Sequence, residues 1–151
     1  MIKIIIGADH QGVNLRDQII DYLSSNEIEV EDIALENSST DDYPDFAYKV
    51  SKEVLKNGNL GILICGTGIG MSIAANKVKG ILCARVLNET DAFLAKNHNK
   101  ANVIAMPSNI NIEEMKKIID VFIATKFPVE ERHLRRIEKI NKIENGTYNE
   151  L

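Results

Sequence analysis

The chain has 151 residues, 44% apolar and 26% charged, with a formal net charge of −4. That length predicts one compact domain over residues 1–151, able to bury about 70% of its unfolded surface without staples. The acidic balance excludes a broad nucleic-acid footprint and a polybasic membrane surface but leaves room for a small anion site, 5% aromatics with no Trp disfavour base stacking, and no apolar run nears the ~20 residues of a membrane span.

Ile2 to Ile6 is an apolar run that reads as a buried strand ended by Gly7, leading straight into the fold with no separate leader. Leu15, Ile19, Tyr22 and Leu23 recur at helical spacing, and Ile28 to Ile33 alternates apolar with acidic residues as a half-buried strand does. The polar stretch Glu36 to Asp42 is a loop. Pro44 suits the first turn of a helix, where its missing N–H leaves nothing unpaired, and Phe46, Ala47, Val50 and Val54 give that helix an apolar face. Leu60 to Ile64 is a second fully apolar strand, ending in Cys65-Gly66-Thr67-Gly68-Ile69-Gly70 and a short helix of small residues, Ser72 to Asn76. Ile81 to Val86 is a fourth strand, and Asn88 with Asp91 forms an N-cap pair for the helix of Phe93 and Leu94. Asn102 to Met106 is a fifth strand; Ile112, Met115, Ile118, Ile119 and Phe122 mark an amphipathic helix; a last helix runs from about Val129 to Ile143.

Strands alternating with helices at this spacing imply βαβ units, hence an α/β, Rossmann-like fold: a doubly wound, mostly parallel sheet of five strands. In the last helix Leu134, Ile137, Ile140 and Ile143 step by three residues and sweep about 180° around the axis. A stripe that wide fits a helix wedged between its own domain and a partner subunit, or ordinary variation at a helix end.

Ligands of open parallel sheets bind beyond the carboxyl ends of the strands. On that rim the sequence places Asp9, His10 and Gly12 after the first strand, Cys65 and the glycine run after the third, and Asn88 and Glu89 after the fourth. His98-Asn99, at the end of the fourth helix, is expected next to the same rim. Alternating glycines allow tight turns and close backbone approach, so Gly66 to Gly70 reads as an anion cradle at a helix N-terminus or as a plain strand–helix turn. A dinucleotide fingerprint fails because its third glycine is misplaced and position 71 is Met71; a P-loop fails because no Gly-Lys-Ser/Thr follows. Cys65 directly before a cradle of N–H donors is placed to exist as a thiolate base or nucleophile, or is a small buried apolar residue. Cys83, mid-strand, takes the second reading. Two cysteines are too few for a disulfide scaffold and point to a reducing cytoplasm. His10 beside Asp9 suits acid–base work or anion binding. Arg132 and Arg136, four apart, project from one helix face and fit a phosphate, or belong to a solvated charge run with Arg135, Lys139 and Lys142. His133, among those charges, is expected to be solvated.

Gly7-Ala8-Asp9-His10, Asp42-Tyr43-Pro44, Cys65-Gly66-Thr67-Gly68-Ile69-Gly70, Ala74-Ala75-Asn76-Lys77, His98-Asn99 and Arg132-His133 with Arg136 occur in that order. Together they resemble the ribose-5-phosphate isomerase type B family, which includes the galactose-6-phosphate isomerase subunits, over essentially the whole chain. The resemblance implies interconversion of ribose 5-phosphate and ribulose 5-phosphate with no metal or organic cofactor, by a cytoplasmic homodimer or dimer of dimers with sites between subunits. It implies His98 as the acid that opens the furanose ring and Cys65 as the base that moves a proton between C2 and C1, with Thr67 assisting. The N–H groups of Gly66, Gly68, Ile69 and Gly70 would stabilise an enediolate. Asp9 and Asn99 would hold sugar hydroxyls, Tyr43 would line the pocket, and His10, Arg132 and Arg136 would hold the phosphate, the arginines from the partner's C-terminal helix.

The sequence departs from the family pattern at Pro107-Ser108-Asn109, where an Arg is usual, at Gly80-Ile81-Leu82-Cys83, where Gly-Ile-Arg-Ala is frequent, and at Glu130-Glu131, where Gly-Gly is usual. These positions bear on which sugar is preferred, and an isomerase of allose or galactose 6-phosphate is the related alternative. A phosphate- or nucleotide-binding module without turnover is the alternative from another class; it would need the cradle but not the thiol.

Overall fold

The computed structural model describes residues 2–33 and 35–150. Five strands run in chain order: β1 (Ile4–Ala8), β2 (Val30–Asp32), β3 (Leu60–Cys65), β4 (Cys83–Arg85) and β5 (Val103–Pro107). Between and after them lie α1 (Val13–Ser25), α2 (Tyr43–Asn57), α3 (Ile69–Asn76), α4 (Glu89–Asn97), α5 (Ile112–Ala124) and α6 (Glu131–Glu144). The sheet order is β2-β1-β3-β5-β4, and every pairing is parallel. The three inner strands are buried at every residue, as strands covered on both faces must be, which is why β1 and β3 read as unbroken apolar runs. The edge strands β2 and β4 are three residues long and only half buried.

Two cores sandwich the sheet. Ile19 and Leu23 of α1, Ala92 and Ala95 of α4, and Met115, Ile118, Ile119 and Phe122 of α5 pack on one face. Phe46, Val50 and Val54 of α2 with Met71 and Ala75 of α3 pack on the other. In α1, α2 and α5 the residues selected by spacing turn inward, whereas α4 buries Ala92 and Ala95 and leaves Phe93 and Leu94 exposed. The Asn88 side chain accepts the Asp91 N–H at 2.8 Å while Asp91 accepts the Leu87 N–H at 3.0 Å, so this N-terminus is capped reciprocally.

Gly7 does not end β1, contrary to expectation; it lies inside the strand, opposite Leu63. A Cβ there would stand 2.7 Å from Cγ2 of Val50, so the glycine exists to let α2 close onto the sheet. α3 begins at Ile69 rather than Ser72, because Gly68, at φ 74°, turns the chain directly into the helix. β4 is shorter than Ile81 to Val86, and Cys83 is its first residue rather than a central one. The Asn76 amide binds the backbone N–H and C=O of Cys83, both at 2.8 Å, occupying the open edge of the sheet there.

α6 lays His133 and Ile137 against the domain while Ile140 and Ile143 remain 40% and 64% exposed. Its Glu144 carboxylate accepts the Gly80 N–H at 3.1 Å. Among the described residues, no helix is long and apolar enough to cross a membrane.

Gly12, at the start of α1, is as tightly enclosed as Gly7: a Cβ would lie 2.7 Å from Cγ2 of Ile64 and 3.0 Å from Cβ of Ala8. Gly12→Ala is expected to lower stability by about 1–3 kcal/mol, seen as a lower urea midpoint at unchanged slope.

Candidate active site

The ends of β1 and β3 are adjacent in the sheet, and the chain leaves them in opposite directions: from β1 outward to β2, from β3 across to the far edge. That reversal opens a crevice at the carboxyl edge. A cleft of about 510 Å³ lies there, lined by Asp9, Gln11, Tyr43, Cys65, Gly66, Thr67, Ile69, Gly70 and Ile73.

The glycine run shapes its floor, and each glycine admits a different neighbour. A Cβ on Gly66 would stand 2.5 Å from Oε1 of Gln11, one on Gly68 would meet the backbone of Met106 and Pro107 at 3.0 and 3.1 Å, and one on Gly70 would enter the Tyr43 ring at 2.5 Å. The turn is thereby pressed against β5 on one side and covered by Gln11 and Tyr43 on the other. Cys65 is buried, and its Sγ accepts the Gly68 N–H at 3.1 Å. Thr67 Oγ1 accepts the Ile69 N–H at 3.1 Å. Among the described residues the N–H groups of Gly66, Thr67 and Gly70 meet no protein acceptor, so they are free to donate to an anion in the cleft. The Ser108 N–H donates to the Cys65 carbonyl at 2.9 Å, tying the loop that carries Asn109 to the same turn.

Asp9 is buried, lines the same cleft as the thiol and accepts the Gln11 N–H at 3.0 Å. Burial pushes its carboxyl above the usual range, against the pull of that N–H and of His10. His10 is held by Asp41, whose Oδ1 lies 2.6 Å from the ring Nδ1 and accepts the His10 backbone N–H at 3.2 Å. The other Asp41 oxygen accepts from the Asn37 amide at 3.0 Å, and Asn37 accepts from Arg16 at 2.8 Å. The Asp41 hydrogen bond raises His10 above the ordinary histidine range. Burial pushes the Asp41 carboxyl up, but its bonds to His10, Asn37 and the backbone outweigh this and hold it below the ordinary range. Potential metal ligands of Asp9, His10 and Asp41 come within 4.8 Å of one another, yet the His10 nitrogen and an Asp41 oxygen already face each other in the short bond just described.

A second cluster lies elsewhere. His98 caps the C-terminus of α4, and its ring stacks on His133 of α6 at 4.4 Å with 17° between planes. Asn99 follows His98, while Arg132 and Arg136 stand on the same helix as His133. Arg132 lies 3.3 Å from Glu130, and Arg136 forms no ion pair among the described residues. His133 is buried, not solvated as its charged neighbours suggested; burial pushes it below the ordinary histidine range, and His98 and Arg132 add to this. His98 and Asn99 are not on the rim with Cys65. α4 starts at the carboxyl edge and returns to the amino edge before β5 begins. About 13 Å of β5 then separates that edge from Pro107, the register partner of Cys65. No residue of α4 or α6 lines the Cys65 cleft. Cys83 is chemically quiet, with burial pushing its thiol up to about 12.

Residues 4–140 match the Ribose/Galactose Isomerase family. A protein of Mycoplasma genitalium named probable ribose-5-phosphate isomerase B is 44% identical over 149 residues, covering 96% of this chain and 97% of that one. The chain belongs to this family. Ribose-5-phosphate isomerase B of Escherichia coli is 39% identical, with 95% and 97% of the two chains covered. The crystal structure of ribose-5-phosphate isomerase B from Mycoplasma genitalium with bound ribulose-5-phosphate superposes with a TM-score of 0.90 at 43% identity, covering 95% of this chain and 97% of that one. That from Clostridium thermocellum gives 0.91 at 39% identity, covering 96% and 99%.

Within this family frame, Asp41 and Gln11 are residues the sequence did not single out, and His133 is one it read as solvated. Gln11 adjoins His10, so the rim argument reaches it. Asp41 carried no signal and the charged neighbours of His133 gave the wrong one, because their contacts are to residues 31 and 35 positions away.

The His10–Asp41 pair dictates a pH window. A raised His10 stabilises the fold below the free histidine value and loses that contribution as pH rises through its folded value. A lowered Asp41 stabilises above the free carboxylate value and loses it as pH falls through its own. Ring NMR titration is expected to place the His10 midpoint above that of a free histidine in the wild type and lower in Asp41→Asn. Superimposable curves would contradict the pairing.

Proposed function

We propose that the chain interconverts ribose 5-phosphate and ribulose 5-phosphate by proton transfer through an enediolate, in a site completed by a second copy of itself. The observation that carries this reading is the Cys65 sulfur seated under a turn of free N–H donors in a rim cleft, in a chain of this isomerase family. Deprotonating the carbon beside a carbonyl places charge on oxygen, and preorganised N–H groups stabilise it strongly. A binding module would need the donors but not the thiol.

His98 donates a proton to the ring oxygen while a water molecule takes the proton of the C1 hydroxyl, so that the C1–ring oxygen bond breaks and the open aldehyde forms. Cys65, as thiolate, takes the proton from C2 and returns it to C1. The free N–H groups of Gly66 and Gly70 face the enediolate oxygens, those of Gly68 and Ile69 hold the turn through Cys65 Sγ and Thr67 Oγ1 instead of donating to the substrate, and Thr67 assists the transfer. Asp9 and Asn99 hold hydroxyls, Tyr43 lines the pocket, and His10, Arg132 and Arg136 hold the phosphate. The proton stays within one substrate, so the reaction calls for no redox partner.

Two features support the second copy. His98, Asn99, Arg132 and Arg136 sit at the opposite end of β5 from Cys65, so one chain cannot close both clusters around one sugar. Ile69 and Ile73 beside the cleft are 48% and 58% exposed, an apolar border that a partner would cover. Free thiols fit a reducing cytoplasm.

Assayed on a panel of aldose phosphates with no added cofactor, the chain is expected to convert ribose 5-phosphate fastest. Asn109, in the loop bonded to Cys65, makes allose and galactose 6-phosphate the comparison substrates. Cys65→Ala is expected to fold normally and lose at least ~10²-fold in activity. Arg136→Ala should act mainly by raising KM. Mixing those two inactive or weakened chains should restore activity; confirmed mixed oligomers without rescue would place the whole site in one chain.

A further inference from the structure

Arg85, the last residue of β4, donates from Nε to the carbonyl oxygen of Thr67 at 2.8 Å. It reaches there because the turn after β3 leans across the end of β5, with Gly68 against the backbone of Met106 and Pro107. The guanidinium forms no ion pair and no other hydrogen bond among the described residues. The peptide unit whose oxygen it holds is the one whose nitrogen belongs to Gly68, and that N–H donates to Cys65 Sγ at 3.1 Å. Guanidinium, carbonyl, amide hydrogen and sulfur thus form one chain of contacts through a single conjugated amide.

A charged donor on a carbonyl makes a stronger hydrogen bond than a neutral one, and bonds in series polarise each other. Drawing electron density toward the Thr67 oxygen makes the Gly68 N–H a better donor to a sulfur that carries charge. The bond also fixes the orientation of that peptide at a residue already held at φ 74°. We propose that Arg85 is a positioning residue for Cys65, holding the Thr67–Gly68 amide on the sulfur and favouring its thiolate form. This rests on the reading of Cys65 as the base. Arg85 does not touch the cleft; it acts from behind the turn.

The test is the pH dependence of Cys65 alkylation by iodoacetamide, followed on the peptide that contains it, in the full chain without substrate. Cys83 does not interfere, because its thiol is pushed up to about 12 and it falls in a separable peptide. Arg85→Met is expected to move the Cys65 midpoint upward by about half to one pH unit. The acidic limb of kcat/KM is expected to move with it. A folded Arg85→Met protein with an unchanged midpoint overturns the proposal. If Arg85→Met does not fold, Arg85→Gln, which is neutral but still able to donate, is read by the same criterion. Because alkylation needs no turnover, an unchanged midpoint removes only Arg85's role. A chain inactive on every aldose phosphate would remove the isomerase reading while leaving the alkylation result intact.

Discussion

The Gly68 amide meets the Cys65 sulfur at 3.1 Å because the turn between β3 and α3 is crowded from three directions. Gln11 occupies the space of one missing side chain, β5 the second and Tyr43 the third. A buried thiol at a strand end has no polar consequence unless donors are aimed at it. Here the donors are backbone groups, whose direction is set by the turn rather than by rotamers. The cradle is therefore rigid to the extent that the sheet and α2 are rigid, and both are packed at every inward position.

The same logic divides the molecule's chemistry. The carboxyl edge of the sheet holds a thiol, a buried carboxylate, a paired imidazole and free N–H groups. The amino edge holds a histidine stack and two exposed arginines. Parallel strands enforce this separation: any residue closing a helix before a strand lies a strand's length from any residue that follows one. In the proposed reaction, a second copy of the chain would bring an imidazole from the first position to a thiol in the second. Exposed apolar residues beside the cleft and along α6 are consistent with surfaces that copy would cover.

Inside the domain, charge is handled by pairing at the rim. Asp41 receives four hydrogen bonds from His10, Asn37 and Ser38. Its hydrogen bond raises His10 above the ordinary histidine range, which favours the charged imidazole that an anionic group would meet. Arg85 plays a comparable part for the sulfur, one peptide removed. In both cases a charged side chain tunes a neighbour at the rim, a buried carboxylate for His10 and an exposed guanidinium for Cys65.

Much of this was legible in the residues. Unbroken apolar runs, alternating glycines and helical spacing specified the strands, the turn and the apolar helix faces, because these depend on neighbours three or four positions away. Cys65, Thr67 and Asp9 could be placed on one rim from chain order, whereas Tyr43 came only from the family resemblance. Gly7 misled, because its small size serves a contact with Val50 that only packing reveals. His133 misled as well, since its charged neighbours in sequence face solvent while its own ring lies on His98. The sequence by itself determined the type of each element and the chemical groups available. Tertiary structure alone decided that His98 stands a strand's length from Cys65, that Asp41 finds His10 and that Arg85 finds Thr67. Those contacts are set by strand order and helix return, which no local pattern encodes.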